Sequence, residues 1–264
     1  ILPLKIPIVF EVHGSKFIEE QAPKTDFLSK FISKTKYRFK DFSTRRFTKI
    51  AALSQESLQE WNSENGIVIP NPSWVETDKS AALKNKKVIT VARYSYEKGW
   101  DRLVLIWAKI MEKNPDWTLD IYTDDKKALT EIVIDLGISS TVQIHDFVKN
   151  IEEKYLESSI YAMTSRTEGF GMVLLEAMSL GIPCIAFDCL IGPRTIIKDD
   201  ENGFLISDNN IEMYIEKLSF LIENEEVRMR FGKEAKRTSE NFSVEKIMKK
   251  WKIFLKALQE ETKS

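Results

Sequence analysis

Short apolar runs alternate with longer amphipathic stretches along almost the whole chain, and this rhythm is what most limits the folds open to it. Strand-like runs lie at residues 6–12, 49–53, 66–70, 87–92, 119–123, 142–145, 160–164, 184–187 and 204–206, and helix-like segments separate most of them. Such alternation predicts an α/β chain: a parallel sheet whose strands are joined by crossover helices. With 264 residues there is room for one large domain, or for one and a half. Two prolines flank a turn residue at Pro70-Asn71-Pro72, which suits a linker. Before it we count two strands and two helices, too few to close a doubly wound domain; after it come six strands, a full nucleotide-binding-type sheet. Residues 242–258 read as a helix with apolar positions Ile247, Trp251, Phe254, Leu255 and Leu258, and Ser243 is placed to cap it.

Composition mainly excludes. The chain is 43% hydrophobic and 30% charged, the balance of a soluble globular protein, and its net charge of −1 offers no global field for nucleic acid. Cys184 and Cys189 sit in or beside an apolar run, so no disulfide framework is indicated and a reducing cytoplasm fits. No run is long enough to span a bilayer and no signal peptide is present. The first residue is Ile1, from which we expect the chain to be part of a longer protein. Residues 24–49 hold nine Lys or Arg and two Asp, with Phe27, Leu28, Phe31, Ile32, Phe39 and Phe42 at near-helical spacing. Two readings fit that stretch: a basic amphipathic helix lying on an anionic membrane, or a solvated helix packed on its own sheet.

Chemistry concentrates in Ser165-Arg166-Thr167-Glu168-Gly169-Phe170-Gly171-Met172-Val173-Leu174-Leu175-Glu176-Ala177-Met178. A buried-type strand feeds a polar loop that ends in glycines, and a helix starts at once. Glycines let a ligand approach the backbone, and the fresh helix end offers unpaired N–H groups and a dipole to phosphate. Glu168 precedes the helix and Glu176 lies in its second turn, so the two carboxylates can hold two hydroxyl-bearing ends of one ligand. Arg93 and Lys98 flank another strand-to-helix loop, where two cations can bind a diphosphate as it leaves. In Glu11-Val12-His13-Gly14-Ser15 a strand gives way to a loop at His13, and ligands of open α/β sheets gather at such strand ends.

The run E-G-F-G-x-x-x-x-E-A-M, followed by x-x-G-x-P, resembles the E-x7-E signature of glycosyltransferase family 4, a retaining family with the GT-B fold. The segment Arg93 to Gly99 is similar to the family's G-R-x-x-x-x-K-G, Ile69-Pro70-Asn71-Pro72 to its interdomain I-P-N-x, and Asn202-Gly203-Phe204-Leu205 to its N-G-x-L. Residues 188–197 resemble the D-C-x-x-G-P-x-x-I-I stretch of a bacterial subgroup, and Val12-His13-Gly14 the histidine segment facing the donor sugar. The resemblance implies a GT-B fold with a partial N-terminal, acceptor-side domain over 1–70, a complete C-terminal nucleotide-sugar-binding domain over 71–241, and a terminal helix over 242–264 that returns to the first domain. It implies Glu168, Arg93, Lys98 and His13 as catalytic residues. It implies Gly169, Phe170, Gly171, Met172, Val173, Glu176, Phe147 and Val148 as the nucleotide-sugar contacts, with Glu176 on the ribose. Two departures stand out: Thr123-Asp124-Asp125 replaces G-x-G, and Asp146 replaces a glycine before Phe147.

The function so implied is transfer of a sugar with retention from a nucleotide sugar to a glycan or lipid-linked acceptor in surface polysaccharide synthesis. UDP-hexose or UDP-N-acetylhexosamine is the first choice of donor and GDP-mannose the second. No cofactor and no metal are expected, since no D-x-D motif is present. The expected location is the cytoplasm, with peripheral contact to the inner face of the membrane. A nucleotide-sugar epimerase on the same fold, or a donor-binding piece without activity, are the competing readings; the short first region leads us to expect nucleotide binding without transfer by this chain alone.

Overall fold

The computed structural model describes residues 6–17, 27–44, 46–61 and 65–261, with the backbone alone at 27–34 and 41. The first lobe runs β1 (Val9–Val12), α1 (Phe27–Thr44), β2 (Lys49–Ala52), α2 (Gln55–Glu60) and β3 (Gly66–Val68). Its strands form a parallel sheet in the order β1-β2-β3, with Val12 opposite Ala52 and Ala52 opposite Val68. The count of two strands before Pro70 is therefore one short. The third is the strand-like run at 66–70, which pairs with β2. Val12, Ile50, Ala52 and Trp61 make this lobe's small core.

The second lobe follows as β4 (Lys87–Val91), α3 (Trp100–Met111), β5 (Thr118–Thr123), α4 (Lys126–Asp135), β6 (Val142–Asp146), α5 (Ile151–Leu156), β7 (Ile160–Met163), α6 (Met172–Ser179), β8 (Cys184–Asp188), α7 (Pro193–Ile196), β9 (Gly203–Ser207), α8 (Ile211–Glu223) and α9 (Glu225–Ser239). Its six strands are parallel in the order β6-β5-β4-β7-β8-β9. The expected α/β architecture is thus present. Local signals set the helix starts: Asp125 accepts the Ala128 amide at 3.3 Å to cap α4, and Asn210 accepts the Met213 amide at 3.1 Å to cap α8.

Both sheet faces are covered, which is why β7 and β8 carry almost no polar side chain. On one face Leu119, Ile121, Ile160 and Ile185 meet Leu103 and Trp107 of α3 and Leu218 of α8. On the other, Ile89, Tyr161 and Ala186 meet Leu174 and Met178 of α6 and Ala235 of α9. Between β4 and β7 the order reverses: the chain leaves β4 toward β5 on one flank, and leaves β7 toward β8 on the other. Ligands of open α/β sheets bind in the crevice that such a reversal opens at the carboxyl ends of the strands.

The last helix, α10 (Val244–Glu261), starts at Ser243, whose hydroxyl accepts the Lys246 amide at 3.4 Å. Ile247, Phe254 and Leu258 bury against Ile69, with Val9 and Ile67 of the first lobe alongside, and Lys49 pairs with Glu261 at 3.2 Å. Leu255, assigned to the same apolar stripe, is instead exposed, because it lies beside the buried row and not on it. The basic stretch at 24–49 falls in part outside the described residues: no side chain is described for Phe27, Leu28, Phe31 or Ile32. Of its remaining apolar positions, Phe39 and Phe42 on α1 are exposed. No helix among the described residues is long and apolar enough to cross a membrane.

Trp107 tests the packing. It is fully buried between α3 and the sheet, and its indole N–H donates to the Thr141 hydroxyl at 3.1 Å. Trp107→Ala should lower the unfolding free energy by about 3–5 kcal/mol in urea titration. A loss below about 1 kcal/mol would contradict the close packing described.

Candidate active site at the strand reversal

The loop leaving β4 is held by bonds that leave its cations free to face the crevice. The Trp100 indole N–H donates to the Arg93 carbonyl at 3.0 Å, and the Tyr94 amide to the Asp124 carboxylate at 2.6 Å. A 3-10 turn over Tyr96–Lys98 then ends at Gly99, where φ is +67°. A Cβ at Gly99 would also overlap the Thr164 carbonyl, so glycine is required twice over. This close approach draws the β4 loop onto the loop leaving β7. There the Thr164 hydroxyl donates to the Gly99 carbonyl at 3.0 Å.

Lys98 Nζ reaches Glu168 Oε1 at 2.7 Å, and the Ser165 hydroxyl donates to that same oxygen at 2.6 Å. Arg93, exposed, lines the same cleft. Arg93, Lys98, Asp124, Thr167, Glu168 and Gly169 together line a cleft of about 440 Å³ between the two loops. Two larger cavities, of about 680 and 590 Å³, run along residues 73–83 and α9 and gather none of the expected site residues. The 440 Å³ cleft is where the chemistry-bearing side chains meet.

Beyond Glu168 the chain turns through Gly169 and Gly171 into α6, which no side chain caps. The Met172 and Val173 amides are left for another partner, while the Leu174 amide already bonds the Gly171 carbonyl at 2.9 Å. Phe170 points away into the core, edge-on to Phe242 at 5.9 Å, so only its backbone can meet a ligand. In the second turn Glu176 is buried and accepts from the Tyr155 hydroxyl at 3.1 Å. Burial pushes its carboxyl above the usual carboxylate range, and the Tyr155 hydrogen bond offsets part of that rise.

His13 comes from the first lobe, at the carboxyl end of β1. Its backbone carbonyl lies against Gly169, where a Cβ would overlap it, while its imidazole is exposed and 3.1 Å from Glu11. Glu60 fixes this loop, accepting from the Ser15 hydroxyl at 2.9 Å and the Lys16 amide at 2.6 Å. Phe147 and Val148 follow β6, two strands away from β4; both are exposed and neither lines the cleft. The two departures resolve differently. Asp124 enters the cleft, and the Tyr94 amide holds its carboxyl below the usual range. Asp125 caps α4 and Asp146 pairs with Lys126 at 2.7 Å, so both stay at the rim.

Sequence reasoning missed Ser165, Tyr155 and Glu60. Ser165 stands three residues before Glu168, a spacing that local hydroxyl-to-carboxylate bonds favour. Tyr155 and Glu60 meet their partners only through the tertiary fold, 21 residues from Glu176 and 45 from Ser15.

Comparison with known proteins adds an independent line. The family model for glycosyl transferases group 1 matches residues 64–238. An uncharacterized glycosyltransferase of Haemophilus influenzae is 33% identical over 214 residues, covering 78% of this chain and 61% of that protein. The amylovoran biosynthesis glycosyltransferase AmsD of Erwinia amylovora is 37% identical over 180 residues, covering 67% and 50%. The chain thus spans between half and two thirds of the length of these two relatives. Among solved structures, Anabaena HepE in complex with UDP-glucose superposes with a TM-score of 0.78 at 22% identity, over 95% of this chain and 72% of that one. The pneumococcal O-GlcNAc transferase GtfA in complex with UDP and GlcNAc gives 0.75 at 21%, over 97% and 52%. At these identities the likeness is one of fold.

Burial of Glu176 has a measurable cost. The ionised form is the one penalised, so the cost is absent where the group is protonated in both folded and unfolded chains. It appears as pH rises above the usual carboxylate range and grows toward the raised folded value. Glu176→Gln, which keeps an acceptor for Tyr155, should therefore raise the melting temperature at pH 7 by about 2–4 °C, with little change near pH 4. Equal gains at both pH values would contradict a burial cost that depends on the charge of Glu176.

Proposed function

This chain belongs to the glycosyl transferases of group 1, and from that premise we propose that it takes part in retaining transfer of a sugar from a UDP-linked donor to a glycan or lipid-linked acceptor. The observation that carries the reading is the meeting of Lys98 with Glu168 at the carboxyl ends of β4 and β7, in the crevice of the strand reversal. A nucleotide sugar departs as a nucleoside diphosphate, and negative charge grows on the diphosphate as the anomeric C–O bond breaks. Arg93, Lys98 and the uncapped start of α6 stabilise that charge. The acceptor oxygen bonds to the anomeric carbon on the face the diphosphate leaves, and its proton passes to the departing phosphate oxygen.

Glu168 orients the donor sugar and polarises it without forming a covalent intermediate. Glu176, buried in the next turn, accepts hydrogen bonds from the ribose hydroxyls, and its burial makes those bonds stronger than they would be in water. Gly169, Phe170 and Gly171 bring backbone amides to the phosphates, with Met172 and Val173 opening the helix. Phe147 and Val148, exposed past β6, serve the rim of the base site. His13 faces the sugar from the first lobe.

UDP is favoured over GDP by the company the fold keeps: the solved relatives above hold UDP or UDP-glucose. Amylovoran synthesis by AmsD supports a surface polysaccharide as product. On this reading residues 1–70 belong to the acceptor-side domain, 71–241 to the donor domain, and 242–264 bridge them. The protein works in the cytoplasm without a metal or other cofactor, and α1, with Phe39 and Phe42 exposed among basic residues, meets the anionic inner face of the membrane.

Two measurements test the reading. In the complete enzyme, Arg93→Ala or Lys98→Ala should lower turnover of a UDP-sugar by about a hundredfold, followed as UDP release with a lipid-linked acceptor. EDTA should leave the wild-type rate unchanged. Loss of activity on chelation, restored by magnesium, would overturn the metal-free scheme.

A further inference from the structure

Arg166 stands two residues before Glu168 and does not line the cleft, yet it ties the Glu168 loop to the turn that carries Lys98. Its guanidinium grips the Asp101 carboxylate as a fork, with Nη1 at 2.8 Å from Oδ1 and Nη2 at 2.5 Å from Oδ2. Nη1 also donates to the Tyr96 carbonyl at 2.8 Å, and the guanidinium carbon lies 4.1 Å from the centre of the Tyr96 ring. The Arg166 backbone amide adds a bond to the Glu97 carbonyl at 2.7 Å. The fork holds the Asp101 carboxyl below the usual range, and Asp101 raises the Arg166 guanidinium further.

The placement of these partners matters more than their number. Tyr96 lies two residues before Lys98, and Asp101 three residues after it, in the first turn of α3. Arg166 therefore takes hold of the Lys98 turn on both sides, from a point two residues away from Glu168. Lys98 and Glu168 sit on different loops, and no strand hydrogen bond fixes their separation. An exposed ion pair by itself contributes little. This guanidinium is mostly buried, makes three side-chain hydrogen bonds and stacks on a ring, so it defines a geometry. A planar fork does this; an ammonium, with one point of charge, does not.

We propose that Arg166 is a positioning residue for sugar transfer: it pins the Lys98 turn to the Glu168 loop at the spacing the donor diphosphate requires. The proposal rests on the reading of Lys98 as a diphosphate partner. Arg166 touches neither donor nor acceptor, and its effect passes through Lys98.

Calorimetric titration with UDP alone separates the two ideas, on wild type, Lys98→Met, Arg166→Ala, Arg166→Lys, Asp101→Asn and the Lys98→Met/Arg166→Ala double variant. Lys98→Met and Arg166→Ala should each weaken UDP binding about tenfold, and the double variant should bind no worse than Lys98→Met. Asp101→Asn, which removes one side of the fork but leaves the arginine, should follow Arg166→Ala even if that variant folds poorly. Arg166→Lys should recover part of the loss. A double variant weakened about a hundredfold would show that Arg166 acts independently of Lys98 and would overturn the proposal alone. Wild-type UDP affinity in Lys98→Met would remove the diphosphate reading and the proposal with it.

Discussion

A parallel sheet whose crossovers run to opposite flanks must leave a gap where the direction changes, because no connection passes over the two strands at that point. In this chain the gap lies above the carboxyl ends of β4 and β7. Everything chemically distinctive depends on it. The β4 loop brings Arg93 and Lys98, the β7 loop brings Glu168 and Gly169, and the uncapped α6 begins just beyond them. The rest of the second lobe, with its two apolar faces, keeps these two strand ends side by side and at the same height.

Within that gap the structure tolerates local costs that a merely stable fold would avoid. Glu176 is buried with one hydroxyl as its partner, and the Thr167 hydroxyl is buried with no hydrogen-bond partner among the described residues. Gly99 adopts a left-handed conformation so that the two loops can touch. Local compromise of this kind, surrounded by a well-packed core, is what a binding site looks like when its partner is a ligand and not the protein itself.

Periodicity made the fold legible. All nine strand-like runs correspond to strands, because a strand covered on both faces has to be apolar throughout and its crossover helix has to be amphipathic. The count of two strands before Pro70 left out the run at 66–70, which ends at the proline turn and pairs with β2. At the site, Glu168, Lys98, Arg93 and Gly169 were legible as one cluster because each lies at a strand-to-helix turn, where backbone and charge leave a signature in the sequence. Asp124 was visible only as a departure from a glycine pattern; that its carboxylate would cap the Tyr94 amide depends on where β5 ends relative to β4. Tyr155 and Glu60 left no signal, since their spacing to Glu176 and Ser15 is set by packing and not by any helical or strand period.

The contact between His13 and Gly169 joins the two lobes through main chain alone, a carbonyl of one against an α-carbon of the other. Interdigitated side chains lock a boundary into one register, but two bare backbones meet as smooth bearing surfaces. Side chains do lock the boundary nearby, where Leu53 of the first lobe enters the second lobe's core and α10 packs on Ile69. At His13 and Gly169 the separation of the two chains is set by the thickness of a peptide unit. Any side chain in place of that hydrogen would act as a shim, forcing the His13 loop off the Glu168 loop.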